Sequence, residues 1–100
     1  MANKTVWITG ASSGIGREFA RQYAKLGFRL ILTARRKERL EALAAELLAQ
    51  YNTPSRILTA DLAQEAELDR LCAELEGERI DIFINNAGFG VCGSFLETDA

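Results

Sequence analysis

The sequence predicts an α/β fold: a doubly wound parallel sheet with helices on both faces. Three observations carry this. Short β-branched or aromatic runs alternate with helix-period stretches along the chain, the pattern of successive βαβ units. A glycine-rich turn, Gly10-Ala11-Ser12-Ser13-Gly14-Ile15-Gly16, stands between the first strand and the first helix. A second turn of small residues, Asn85-Asn86-Ala87-Gly88, follows the fourth strand.

The elements follow in order. Thr5 to Thr9 (TVWIT) reads as a buried strand. Gly14 to Leu26 carries Ile15, Phe19, Ala20, Tyr23 and Ala24 at the spacing of one helix face, with Gly27 just past its end. Phe28 to Thr33 is the second strand. Lys37 to Gln50 places Leu40, Leu43, Ala44, Leu47 and Leu48 on one stripe, and Pro54 separates that helix from a third strand, Arg56 to Thr59. Leu68, Leu71, Cys72 and Leu75 mark a third helix closed near Gly77, and Ile80 to Ile84 a fourth strand. Right-handed crossovers give the strand order 3-2-1-4, the first half of a Rossmann-type sheet. That half is incomplete. Its fourth strand would be an open apolar edge, so a fifth strand is expected beyond Ala100.

Composition narrows the function. The 100 residues are 48% hydrophobic and 26% charged, with a net charge of −2, which suits one globular domain. No Lys/Arg block points to nucleic acid. No apolar run approaches the roughly 18 residues of a membrane span. The start, Met1-Ala2-Asn3-Lys4, leads straight into a strand without a secretory apolar region, so a cytoplasmic setting is expected. There is no histidine and no C-x-x-C pair, which excludes Ser-His-Asp and Cys-His catalysis and a four-ligand zinc site within this stretch.

The chemistry lies in the turns at the carboxyl ends of the strands. Gly10 permits a sharp exit from the first strand. Gly14 leaves room for a diphosphate beside the backbone, and Gly16 allows close helix–strand packing. The first-turn amide groups, including that of Ile15, then face the anion along the helix dipole, with Ser12 and Ser13 adding hydroxyls. About 20 residues beyond such glycines a carboxylate usually meets a free ribose 2′-hydroxyl. This chain has Arg35 and Arg36 there. Guanidinium groups suit a 2′-phosphate, which a carboxylate would repel. NADP(H) is therefore the expected cofactor, ahead of NAD(H). Trp7, inside a strand, reads as core.

The spacing T-G-x-x-x-G-x-G, with Asn85-Asn86-Ala87-Gly88 after the fourth strand, resembles the short-chain dehydrogenase/reductase family. The resemblance covers the whole chain and identifies residues 1–100 as the N-terminal half of the dinucleotide-binding domain, the catalytic half lying beyond residue 100. It implies that Asp61 hydrogen-bonds the adenine amino group and that the backbone of Leu62 meets the ring. It implies that Asn86 contacts the cofactor, that Ala87 and Gly88 let ribose and diphosphate lie close, and that Asn85 ties the loop to the sheet. It implies an oxidoreductase moving hydride between a nicotinamide and a carbonyl or alcohol substrate, and a homo-oligomer at full length. The family's catalytic Ser and Tyr-x-x-x-Lys are not here: Tyr23 is followed four residues on by Gly27 and Tyr51 by Ser55. No residue of this stretch is assigned as catalytic. The alternatives are a non-catalytic NAD(P)-binding module, or a structural protein that keeps the glycine loop only to turn. Phe89 to Phe95 is expected near the entrance to a substrate pocket.

Overall fold

The computed structural model describes residues 4–88, so the expectation for Phe89 to Phe95 lies outside the described residues. The elements run β1 (Thr5–Thr9), α1 (Gly14–Lys25), β2 (Arg29–Ala34), α2 (Lys37–Tyr51), β3 (Ser55–Thr59), α3 (Glu65–Glu74) and β4 (Ile82–Asn85). The sheet is parallel, in the order β3-β2-β1-β4. Thr5 to Thr9 pairs with Arg29 to Thr33 on one side, and Val6 to Thr9 with Ile82 to Asn85 on the other. This register brings the carboxyl ends of all the described strands to one edge, where both small-residue turns emerge.

The strand faces divide the core. Val6, Ile8, Leu30 and Leu32 pack beneath α1 and α2 with Ala20, Ala24, Leu40, Leu43 and Leu47. Trp7 and Ile31 point the opposite way, toward Leu58, Leu62, Leu71 and Leu75 around α3. Trp7 is buried, as expected. Its indole N–H donates to Thr33 Oγ1 at 2.9 Å, and its ring lies 4.7 Å from that of Phe83. The hydrogen bond matters because an unpaired indole at this depth would cost about 1–3 kcal/mol.

One helix face differs from the periodicity reading. Ile15 and Phe19 were expected on the core stripe of α1, but they are 68% and 39% exposed, and the helix buries Gly16, Ala20 and Ala24 instead. The reason is proximity: a Cβ on Gly16 would stand 2.2 Å from the Gly10 carbonyl oxygen, so only small side chains fit at that approach. On α2, likewise, Leu48 is exposed while Leu40, Leu43 and Leu47 are buried.

Asp81 fixes the register of β4. Its Oδ2 accepts from the Thr5 N–H at 2.8 Å, and its own N–H donates to the Thr5 carbonyl at 2.9 Å. The Thr5 N–H, helped by Arg79 and Lys4, holds the carboxyl below its ordinary range. A carboxylate favoured in this way stabilises the fold above the pKa of the unfolded chain, and the benefit fades as pH falls through the lower folded value. Asp81→Asn is therefore expected to lower Tm at neutral pH and to converge on the parent protein in acid below the folded pKa. Thermal melts across that range check it; a Tm deficit independent of pH would contradict it.

Candidate cofactor site

The glycine turn is built by its glycines and locked by one asparagine. Gly10 adopts φ +66°, and a Cβ there would come within 3.0 Å of Asn86 Nδ2. Ser13 caps α1: its hydroxyl accepts from the Gly16 N–H at 3.3 Å and donates to the Gly10 carbonyl at 2.9 Å. Asn86 reaches across from the end of β4, donating to the Gly10 carbonyl at 3.0 Å and to Ser13 Oγ at 2.7 Å. Asn85 accepts from Thr9 Oγ1 and from the Gly88 N–H, both at 3.1 Å.

Bracing is thus shared. Asn85 ties the loop to the sheet, as the resemblance implies. Asn86, expected on the cofactor, uses its amide hydrogens to hold the glycine turn. Ser13, expected as a ligand donor, gives its hydroxyl proton to Gly10.

What this bracing leaves free is decisive. Among the described residues, the N–H groups of Ser12, Gly14 and Ile15 have no acceptor, whereas those of Ala11, Ser13 and Gly16 do. A Cβ on Gly14 would meet nothing within 4 Å, so the approach to these amides is open. The first turn of α1 carries no acidic residue to offset the helix dipole. Converging free amides at an open helix N-terminus fit a diphosphate.

Beside the turn lies a cleft of about 320 Å³ lined by Gly10, Ser12, Ala34, Arg35, Ala60, Asp61, Leu62, Ala63 and Ala87. It joins the carboxyl ends of β1, β2 and β3 to the turn after β4, and the alanines give it a shallow apolar floor. Asp61 does not cap α3, whose N-cap is Gln64. Its Oδ1 accepts from the Ala63 N–H at 3.1 Å, and its N–H donates to Glu67 Oε1 at 2.9 Å. Its Oδ2 and the Leu62 N–H have no partner among the described residues, and both residues line the cleft; a free acceptor and a free donor are what an adenine edge pairs with. Arg35 is exposed at the rim and has no hydrogen bond or ion pair among the described residues. Arg36 occupies the N-cap position of α2 and does not line the cleft, and Gly88, at φ +75°, is exposed beyond it.

Of the predicted residues, Gly10, Ser12, Arg35, Asp61, Leu62 and Ala87 come together around the cleft, and Gly14, Ile15 and Gly16 form the adjoining helix start. Among the described residues no acidic, cysteine and histidine cluster could hold a metal, and no helix is long and apolar enough to cross a membrane.

The chain resembles known proteins in sequence and in fold. The family model for short chain dehydrogenases matches residues 4–100. A very-long-chain 3-oxoacyl-CoA reductase of Vanderwaltozyma polyspora is 42% identical over 99 residues, which cover 92% of this chain and 28% of that protein. The bulky-bulky ketone specific alcohol dehydrogenase of Comamonas testosteroni superposes with a TM-score of 0.81 at 39% identity, over 97% of this chain and 39% of that one. A short-chain dehydrogenase of Sphingobium yanoikuyae, solved with NADPH, superposes with a TM-score of 0.80 at 46% identity, over 94% of this chain and 37% of that one. The chain spans less than a third of the length of the curated relatives it matches. With the motif spacing, strand order and family model in agreement, the chain belongs to the short chain dehydrogenase family.

Proposed function

We propose that the chain is the cofactor-binding part of an NADP(H)-dependent oxidoreductase that moves hydride between the nicotinamide and a carbonyl or hydroxyl carbon. The observation that carries this is the joining of the free Ser12, Gly14 and Ile15 amides to a cleft whose rim holds Arg35. In this reading the amides hold the diphosphate, Asp61 and Leu62 orient the adenine, and Arg35 receives the 2′-phosphate. The bound cofactor supplies the hydride; these residues bind and orient it. The NADPH complex of the Sphingobium yanoikuyae relative supports the choice of cofactor. The 3-oxoacyl-CoA reductase and ketone-specific relatives support a carbonyl substrate.

The test is the oxidation rate of NADPH and of NADH with a 3-oxoacyl-CoA or a bulky ketone, measured on the full-length protein in which this cofactor-binding part is joined to a catalytic half. The proposal expects kcat/KM at least about tenfold higher with NADPH, the effect of one discriminating charged contact. Equal or faster turnover with NADH would overturn the cofactor assignment. Tight NADPH binding without turnover of any carbonyl substrate would identify a non-catalytic binding module.

A further inference from the structure

Glu67 does not do what its place in the helix would suggest. Gln64 is the N-cap of α3, so Glu67 stands at the third helical position. In a capping box a glutamate there reaches back to the N-cap N–H. Here the Gln64 N–H donates to the Asp61 carbonyl at 2.9 Å. Glu67 reaches three residues further back, and its Oε1 accepts from the Asp61 N–H at 2.9 Å.

Asp61 is thereby fixed on every side but one. Its N–H is held by Glu67, its carbonyl by Gln64, and its Oδ1 by the Ala63 N–H. Only Oδ2 is left for a ligand among the described residues. Arg70 supports the same turn from α3. Its Nη2 donates to the Thr59 carbonyl at 2.9 Å and lies 3.7 Å from Glu67 Oε1, while its Nη1 meets Glu74 at 3.0 Å. The guanidinium therefore ties the end of β3 to α3 and offsets the Glu67 charge next to the Asp61 carboxylate.

Rigidity matters here because of the order of donors and acceptors. Adenine presents an amino donor at C6 beside the acceptor N1, which pair with Asp61 Oδ2 and the Leu62 N–H. A 6-oxopurine presents an acceptor at C6 beside an N1–H donor, the reverse order. A fixed turn rejects that edge, whereas a loosened one can shift to meet it. Resting on the cofactor reading above, we propose that Glu67, steadied by Arg70, is a positioning residue that makes the cleft selective for adenine over 6-oxopurine dinucleotides. It touches no ligand and acts through the main chain of Asp61.

NADPH and its hypoxanthine analogue differ only at the purine, so isothermal titration of the full-length protein with both isolates this contact. The parent protein is expected to bind NADPH at least about tenfold tighter than the analogue. Glu67→Ala should lower that ratio about three- to fivefold, a modest effect because Glu67 and Arg70 are partly exposed. Glu67→Gln keeps an acceptor for the Asp61 N–H and should restore most of the ratio. Glu65→Ala, in the same helical turn, controls for helix charge and should leave the ratio unchanged. Circular dichroism melts confirm folding of each variant. A folded Glu67→Ala protein with the parent ratio, while Asp61→Ala loses it, would overturn this inference and leave the cofactor reading standing. Equal affinities of the parent for both dinucleotides would overturn the adenine role of Asp61 together with it.

Discussion

Gly16→Ala is expected to lower stability by about 2–3 kcal/mol and to abolish tight cofactor binding. The added Cβ would lie 2.2 Å from the Gly10 carbonyl oxygen and 2.8 Å from Asn86 Nδ2. Overpacking costs about 1–3 kcal/mol, and the upper part of that range applies because the obstructing atom is backbone, fixed by the turn, and not the end of a flexible side chain. At about 4–8 °C per kcal/mol for a domain of this size, Tm should fall by roughly 10–20 °C. The same displacement would break the Asn86 bonds that hold the free amides in place. Gly14→Ala is the contrasting case. Its Cβ enters open space, so Tm should change little while NADPH binding weakens, because the added methyl occupies the approach to the Ser12, Gly14 and Ile15 amides. Thermal melts and NADPH titrations of both variants check this. A stable Gly16→Ala protein that binds normally would contradict the geometry of the turn.

The roles of the glycines were legible because they follow from local backbone demands. Gly10 needs a positive φ and Gly16 a close approach, and spacing alone expresses both. β1 was legible to the residue because a β-branched and aromatic run between polar ends leaves little choice of boundary. The strand order followed from the alternation of elements and the handedness of crossovers.

Other features depend on pairings that no local pattern expresses. Asn86 latches the glycine turn only because β4 pairs with β1, which brings together residues 76 apart in sequence. Its identity suggested a polar contact but not which one. The exposure of Ile15 and Phe19 was missed because helical periodicity locates an apolar stripe without saying how near the sheet lies. The small residues Gly16, Ala20 and Ala24, at intervals of four, were the signal that the close-packed face lay elsewhere.

The second large effect concerns Arg35, the predicted residue on which cofactor choice turns. It stands at the end of β2, exposed, with no ion pair among the described residues, and lines the same cleft as Asp61 and Leu62. A 2′-phosphate carries close to two negative charges, and hydrogen bonds to charged groups contribute about 1.5–3 kcal/mol. Under the proposed function, removing the guanidinium is therefore expected to cost NADPH about 1.5–3 kcal/mol, a factor of roughly 10–150 in Kd, while NADH has no group at that position to lose. Arg35 is exposed and has no hydrogen bond or ion pair among the described residues, so the variant should keep the parent stability to within about 0.5 kcal/mol. Isothermal titration of the parent and Arg35→Ala proteins with both cofactors measures this directly. The account predicts a large loss for NADPH and a nearly unchanged NADH affinity; equal losses for the two would contradict it.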